Sequence, residues 1–177
     1  MPADSDSAFI AAIDRLDDRL DAWWDRIRDV PVADRLFYTA SEAADFSVLW
    51  HTLGVVQAII EDDPRIAITV SAALGVESAL INGPVKSVFR RSRPVQETAR
   101  PLNLRLPRTS SFPSGHASAA MVAAALLSRP GNAPLWYGLA AIVASSRIHV
   151  RIHHASDVVG GLVAGAALGA LARRLAG

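Results

Sequence analysis

The chain has 177 residues, enough for one domain with a sizeable core and too few for two. Apolar residues make up 51% of it, and its formal charge of +1 lacks the basic excess of a bulk nucleic-acid binder. Cysteine is absent, which excludes disulfides, a thiolate nucleophile and Cys-ligated zinc. Of the 18 basic residues only Lys86 is a lysine. Lys and Arg are not interchangeable, so that position is a candidate for chemistry.

Met1 to Ser7 carries two Asp and no basic residue, and does not read as a signal peptide. From Phe9 to Ile27, apolar residues recur with helical spacing, and Asp and Arg fill the opposite face. Trp23 and Trp24 suit a membrane–water interface, although a soluble amphipathic helix laid on a core has the same pattern. Pro31 ends this element. The reading divides the chain into an N-terminal amphipathic or interfacial helix, residues 1–40, and a helical bundle, residues 41–177.

Denser apolar segments follow. Phe46–Ile60 stops at Glu61-Asp62-Asp63-Pro64, and Ile66–Phe89 is a longer apolar helix interrupted by Glu77, Asn82 and Lys86. Residues 90–112 form a polar loop with six Arg. Ala117–Leu127 is Ala-rich and closes at Ser128-Arg129-Pro130-Gly131; Ala133–Ser145 and the uncharged Val158–Ala172 complete the series. No strand-like alternation stands out. The fold class is all-α, a compact bundle of about five core helices plus the N-terminal one, embedded in a membrane. The apolar runs are short for that role: fifteen residues rise only ~22 Å against a ~30 Å hydrocarbon core. Gly161, Gly165 and Gly169 form a small-residue stripe of the kind that lets helices approach in lipid, a possible face for homo-oligomers.

Three constellations carry chemistry. Lys86 and Arg93 stand seven apart, two helical turns, so a continuous helix presents both cations on one face before Pro94 ends it. Such a pair suits a dianion such as phosphate, and a basic cluster at a helix end has the same look. Ser114, Gly115 and His116 open the Ala-rich helix. Ser114 is placed as N-cap, Gly115 leaves room for an anion at the positive end of the dipole, and His116 adds a titratable group. His153 and Asp157 stand four apart and can meet, the carboxylate fixing the tautomer of the imidazole. His149, His153 and Asp157 also have metal-ligand spacing, but the cationic motifs around them favour an anion.

Lys86-x6-Arg93-Pro94, Pro113-Ser114-Gly115-His116 and Ser146-Arg147-x5-His153-x3-Asp157 together resemble the tripartite signature of the type 2 phosphatidic acid phosphatase superfamily. The resemblance covers about residues 66–172. It implies a phosphatase without a metal or other cofactor. His153 would attack phosphorus, Asp157 would orient it, and His116 would protonate the leaving oxygen and then activate water. Lys86, Arg93 and Arg147 would hold the phosphoryl oxygens together with Ser114 and the Gly115 N–H. His51, His149 and His154 match no motif position and read as structural or interfacial. Glu77 and Asn82 read as buried partners of neighbouring groups.

The short, apolar chain looks like the lipid phosphatase branch, acting on phosphatidic acid, phosphatidylglycerol phosphate or a polyprenyl (pyro)phosphate. It implies a lipid phosphate as partner and an integral protein of a bacterial cytoplasmic membrane. The Arg-rich loop points to the cytoplasmic face by the positive-inside rule, while phosphate binding by the same arginines leaves the side open. A vanadate-dependent haloperoxidase shares such a pocket, and a non-catalytic phospholipid-binding protein could keep the anion site without both histidines and Asp157.

Overall fold

A computed structural model describes residues 3–95, 104–107 and 109–176, with side chains from residue 8 onward. Arg100 and Arg108 of the polar loop lie outside the described residues. Among the described residues every regular element is helical. In chain order these are α1 (Ala3–Trp24), α2 (Pro31–Ala43), α3 (Val48–Ile60), α4 (Pro64–Val88), α5 (Gly115–Leu127), α6 (Ala133–His149) and α7 (Ala155–Ala176).

The helix boundaries follow from local chemistry. Pro31 and Pro64 occupy first-turn positions, where a missing N–H costs nothing. Asp63 caps α4 by accepting from the Arg65 N–H at 3.0 Å. Gly131, at φ +93°, turns the chain between α5 and α6. Between α2 and α3 a short 3₁₀ turn, Asp45–Ser47, puts Phe46 and Ser47 in the left-handed region, at φ 52° and 58°. That conformation costs roughly 1–2 kcal/mol per residue, and it bends the α2–α3 pair by 63°.

The bundle is built around α5. Ala117, Ala120, Val122, Ala123, Ala124 and Leu127 are wholly buried, and the helix packs against α3, α4, α6 and α7. Its alanines let neighbours come close, and α7 comes closest. A Cβ on Gly161 or Gly165 would collide with the carbonyl oxygens of Ser114 and Ser118, and one on Gly169 would lie 2.8 Å from the Ala125 Cβ. The glycine stripe is therefore spent within the chain. It does not face outward, which corrects the expectation that it offers a surface to a second copy.

The span of α4 matches the expected helix, and α7 is longer than its apolar run alone foretold. α4 has 25 residues and α7 has 22, so each rises more than ~30 Å and is long enough to cross a bilayer. The bent α2–α3 pair makes a third candidate. The extra length of α7 comes from Ala155, Ser156 and Asp157 at the site end and from Arg173 to Ala176 at the other, where charge stops an apolar count. Ile59, Ile68, Val76, Leu135, Val159 and Val163 are exposed on the outer faces, as expected of a lipid-facing surface.

Gly165→Leu forces a side chain into the α5–α7 contact, and overpacking of this kind costs ~1–3 kcal/mol or more. Thermal unfolding in detergent is expected to show a clearly lowered midpoint. An unchanged midpoint with an altered oligomeric state would instead place the stripe on the outside.

Candidate active site

Four helix ends meet at one end of the bundle. The N-terminus of α5 is fixed first: Ser114 Oγ accepts from the Ala117 N–H at 3.4 Å, and the Ser114 N–H donates to the Asp157 carbonyl at 2.9 Å. The second bond ties the Pro-Ser-Gly-His turn to the start of α7. Ser114 is fully buried in this capping role, whereas Gly115 and His116 line the site cavity. A Cβ on Gly115 would lie 3.3 Å from the Asn82 Oδ1, so the glycine keeps the helix end open.

Lys86 and Arg93 do converge, but not along one helix. Gly83 (φ −93°, ψ −109°) and Pro84 break α4 into a π-type turn over Ile81–Val85, and the helix ends at Val88. Arg93 lies in the extended chain beyond and is folded back by its own hydrogen bonds. Its guanidinium donates to the carbonyls of Ile152 (2.9 Å), Thr109 (3.1 Å) and Ser110 (3.2 Å) and reaches His153 Nε2 at 3.3 Å. Lys86, 7% exposed, donates to Asn82 Oδ1 at 3.0 Å, so Asn82 is a partner of a buried lysine but is itself exposed, which corrects the expectation that it is buried. Arg147, at the end of α6, is buried and donates to Ser41 Oγ on α2.

His153 sits in the turn between α6 and α7, 3% exposed. Its Nε2 faces Arg93, and its Nδ1 lies 3.6 Å from Asp157 Oδ2, a contact just beyond hydrogen-bond length. Burial, reinforced by Arg147 and Arg93 and opposed by Asp157, pushes the His153 imidazolium down to about 3. The ring is neutral at pH 7, as a nitrogen nucleophile must be. Asp157 is fully buried, and its oxygens accept from the His154 N–H at 2.8 Å and from Arg91 at 2.8 Å.

His116 brings Nε2 to 3.1 Å from Asp45 Oδ1 and 3.2 Å from the Ser41 carbonyl. A cavity of about 760 Å³ gathers Lys86, Gly115, His116, Arg147 and His153 with Asp45, His51, Glu77, Asn82, Arg105 and Thr109. The metal-spaced trio is not assembled. His149 turns the other way, accepting from Trp24 Nε1 at 3.0 Å on Nδ1 and facing Asp34 at 2.7 Å through Nε2. Phe37 packs on its ring, a structural position. His51 pairs with Ser71 at 3.0 Å, and His154 gives its backbone N–H to Asp157.

The sequence profile of the PAP2 superfamily matches residues 66–177. The chain belongs to that superfamily. Membership makes it a lipid phosphate hydrolase of the metal-independent, phosphohistidine type. Decaprenylphosphoryl-5-phosphoribose phosphatase of Mycobacterium tuberculosis H37Rv is 32% identical over 137 residues, covering 77% of each chain. The Mycolicibacterium smegmatis protein of the same name is 31% identical over 124 residues, 68% of this chain and 67% of its own. Two solved structures share the fold. The transmembrane PAP2-type phosphatidylglycerolphosphate phosphatase of Bacillus subtilis superposes with a TM-score of 0.68 at 21% identity, over 93% of this chain and 86% of its own. Aquifex aeolicus LpxE gives 0.66 at 22%, over 88% and 93%.

Around the PAP2 motifs the structure adds residues that motif reading passed over. Asp45 comes to His116 from a turn 71 positions earlier in the chain, a pairing no spacing rule reveals. Arg91, one of the unspecified positions between Lys86 and Arg93, bonds Asp157 directly. Burial disfavours its charge, but Asp17 and Asp157 outweigh that and raise its pKa above the ordinary value. Asp17 had a signal of its own, since Asp14, Asp17 and Asp21 recur with helical spacing on α1.

In ¹⁵N-histidine spectra of the protein in micelles, His153 is expected to remain neutral at about pH 5, where an ordinary imidazole of pKa ~6.5 is largely protonated. Titration of His153 close to ~6.5 would contradict the burial and the cationic surroundings described.

Proposed function

We propose that this PAP2 protein removes the terminal phosphate of a polyprenyl-phosphate-linked sugar phosphate, with His153 as nucleophile. The observation that carries the reading is the shared cavity, which Lys86, Arg147, His116 and His153 line together with Asp45, His51, Ser78, Asn82 and Thr109. The first group fits a phosphoryl dianion and the second fits the hydroxyls of a headgroup beyond it. Sequence likeness to the mycobacterial decaprenylphosphoryl-5-phosphoribose phosphatases supports this substrate class.

His153 Nε2 attacks phosphorus, because Nδ1 is turned to Asp157. The P–O bond to the sugar breaks as the N–P bond forms. Positive charge develops on the imidazole, and Asp157 stabilises it. Arg93, Lys86 and Arg147 hold the three phosphoryl oxygens, with the Gly115 N–H at the helix end that Ser114 caps. The Nε2 of His116 is engaged by Asp45 and the Ser41 carbonyl, so its proton exchange with substrate runs through Nδ1. It protonates the leaving sugar oxygen, then takes a proton from the water that cleaves the N–P bond and releases phosphate.

Of the residues 1–40 set apart by the sequence, α1 and the turn after it serve as an interfacial arm, whereas residues 31–40 belong to α2 and pack on α6 as part of the bundle. The exposure of Phe9, Leu16, Leu20 and Trp23 along α1 supports that placement.

Purified protein assayed with decaprenylphosphoryl ribose 5-phosphate, phosphatidic acid and phosphatidylglycerol phosphate, all with EDTA, tests the reading. The sugar phosphate is expected to be cleaved fastest, and His153→Ala to lose at least about a thousandfold in kcat. Preference for either glycerophospholipid would remove the sugar assignment, and abolition by EDTA would remove the histidine mechanism.

A further inference from the structure

We propose that Asp17, on the amphipathic helix α1, is a positioning residue of the active site that acts through Arg91 on Asp157. The inference rests on the assignment of His153 and Asp157 as the reacting pair.

Asp17 stands apart from the rest of α1. It is 3% exposed, on a helix whose Phe9, Leu16, Leu20 and Trp23 face outward. A buried carboxylate must be fully partnered, and both of its oxygens are. Oδ1 accepts from the Ser156 N–H at 2.8 Å; Oδ2 accepts from Ser156 Oγ at 2.6 Å and from Arg91 at 2.7 Å. The other terminal nitrogen of Arg91 donates to Asp157 Oδ1 at 2.8 Å and to Ser156 Oγ at 2.5 Å. One guanidinium therefore spans a carboxylate from α1 and the carboxylate beside the nucleophile. Asp14 lies at the exposed edge of the same group, 3.2 Å from Arg91.

Two consequences follow. The Ser156 N–H is in the first turn of α7, where intrahelical acceptors are missing, so Asp17 caps α7 from outside and fixes the backbone that carries Asp157. Asp17 also divides the charge of Arg91. An arginine facing Asp157 alone would draw the carboxylate toward itself and neutralise it, weakening its hold on the imidazolium that forms at His153. Shared between two carboxylates, Arg91 orients Asp157 and leaves the group a net negative charge. The fork geometry of arginine makes this bridge possible, and a lysine could not reproduce it.

The test uses the full chain in detergent and whichever of the three lipid phosphates above it cleaves fastest. Asp17→Asn keeps the shape but removes the charge, and is expected to lower kcat about tenfold or more with KM within about twofold. Asp17→Glu is expected to recover part of that loss. Asp21→Asn is the control, since Asp21 joins α1 to Arg28 and Arg151 without touching Arg91, and its kcat should stay near that of the unchanged chain. If Asp17→Asn does not fold, Arg91→Lys reads the same bridge and is expected to lower kcat with KM retained. Equal losses in Asp17→Asn and Asp21→Asn, tracking thermal stability, would reduce Asp17 to a structural residue and overturn the proposal. So would full kcat in Asp17→Asn, or in Arg91→Lys when that variant stands in. His153→Ala run alongside separates the two readings: if it is inactive, a normal Asp17→Asn sinks only the present inference, whereas an active His153→Ala sinks the nucleophile assignment and this inference with it.

Discussion

Lys86, Arg91, Arg93 and Arg147 converge on one turn of a helical bundle, and the need to keep these cations charged in a poorly solvated place organises the surrounding structure. An unpaired buried charge costs several kcal/mol, so each cation is met by fixed acceptors. Arg93 is held by three backbone carbonyls, Arg91 by Asp17 and Asp157, Lys86 by Asn82, and Arg147 by Ser41. Most of these partners are neutral dipoles, and the carboxylates are concentrated on Arg91. Positive potential is thereby left over on the side of the cavity, where a phosphoryl group can use it. Burial, reinforced by the same potential, keeps His153 neutral and ready to attack.

Helix packing provides the rigidity this arrangement requires. The alanine face of α5 and the glycine stripe of α7 bring two backbones into direct contact, and the Ser114 N–H bond to the Asp157 carbonyl locks their site ends together. Past the break at Gly83-Pro84, α4 carries Lys86 in its last turn and ends at Val88, from where the chain turns back to deliver Arg93. The strained turn at Phe46 and Ser47 sets Asp45 against His116. Both of these departures from regular helix lie next to a residue of the site.

Much of this was legible in the residues themselves. The helical class, the order of the elements, the Ser114 cap and the convergence of Lys86, Arg93, His116, Arg147, His153 and Asp157 can all be read from period, capping chemistry and motif spacing. Other features could not be. Two turns of ideal helix between Lys86 and Arg93 is a reasonable extrapolation, but the helix ends at Val88, because the return of Arg93 to the site depends on tertiary acceptors. The apolar run underestimates α7, because polar and charged residues stand at both of its ends. A glycine stripe is the same pattern whether its partner is in another chain or in α5. Asp17 and Asp45 meet their partners across 74 and 71 positions of sequence, distances over which only packing decides.

The central claim is that phosphorus becomes bonded to His153. Rapid mixing of the protein with substrate labelled with ³²P in the terminal phosphate, followed by quenching in alkali and peptide mapping, reads that bond directly. The account predicts a base-stable, acid-labile label on the peptide containing His153, formed as fast as the overall turnover or faster, and absent in His153→Asn. Label on another residue, or hydrolysis in single turnovers with no labelled protein at any time, would contradict it.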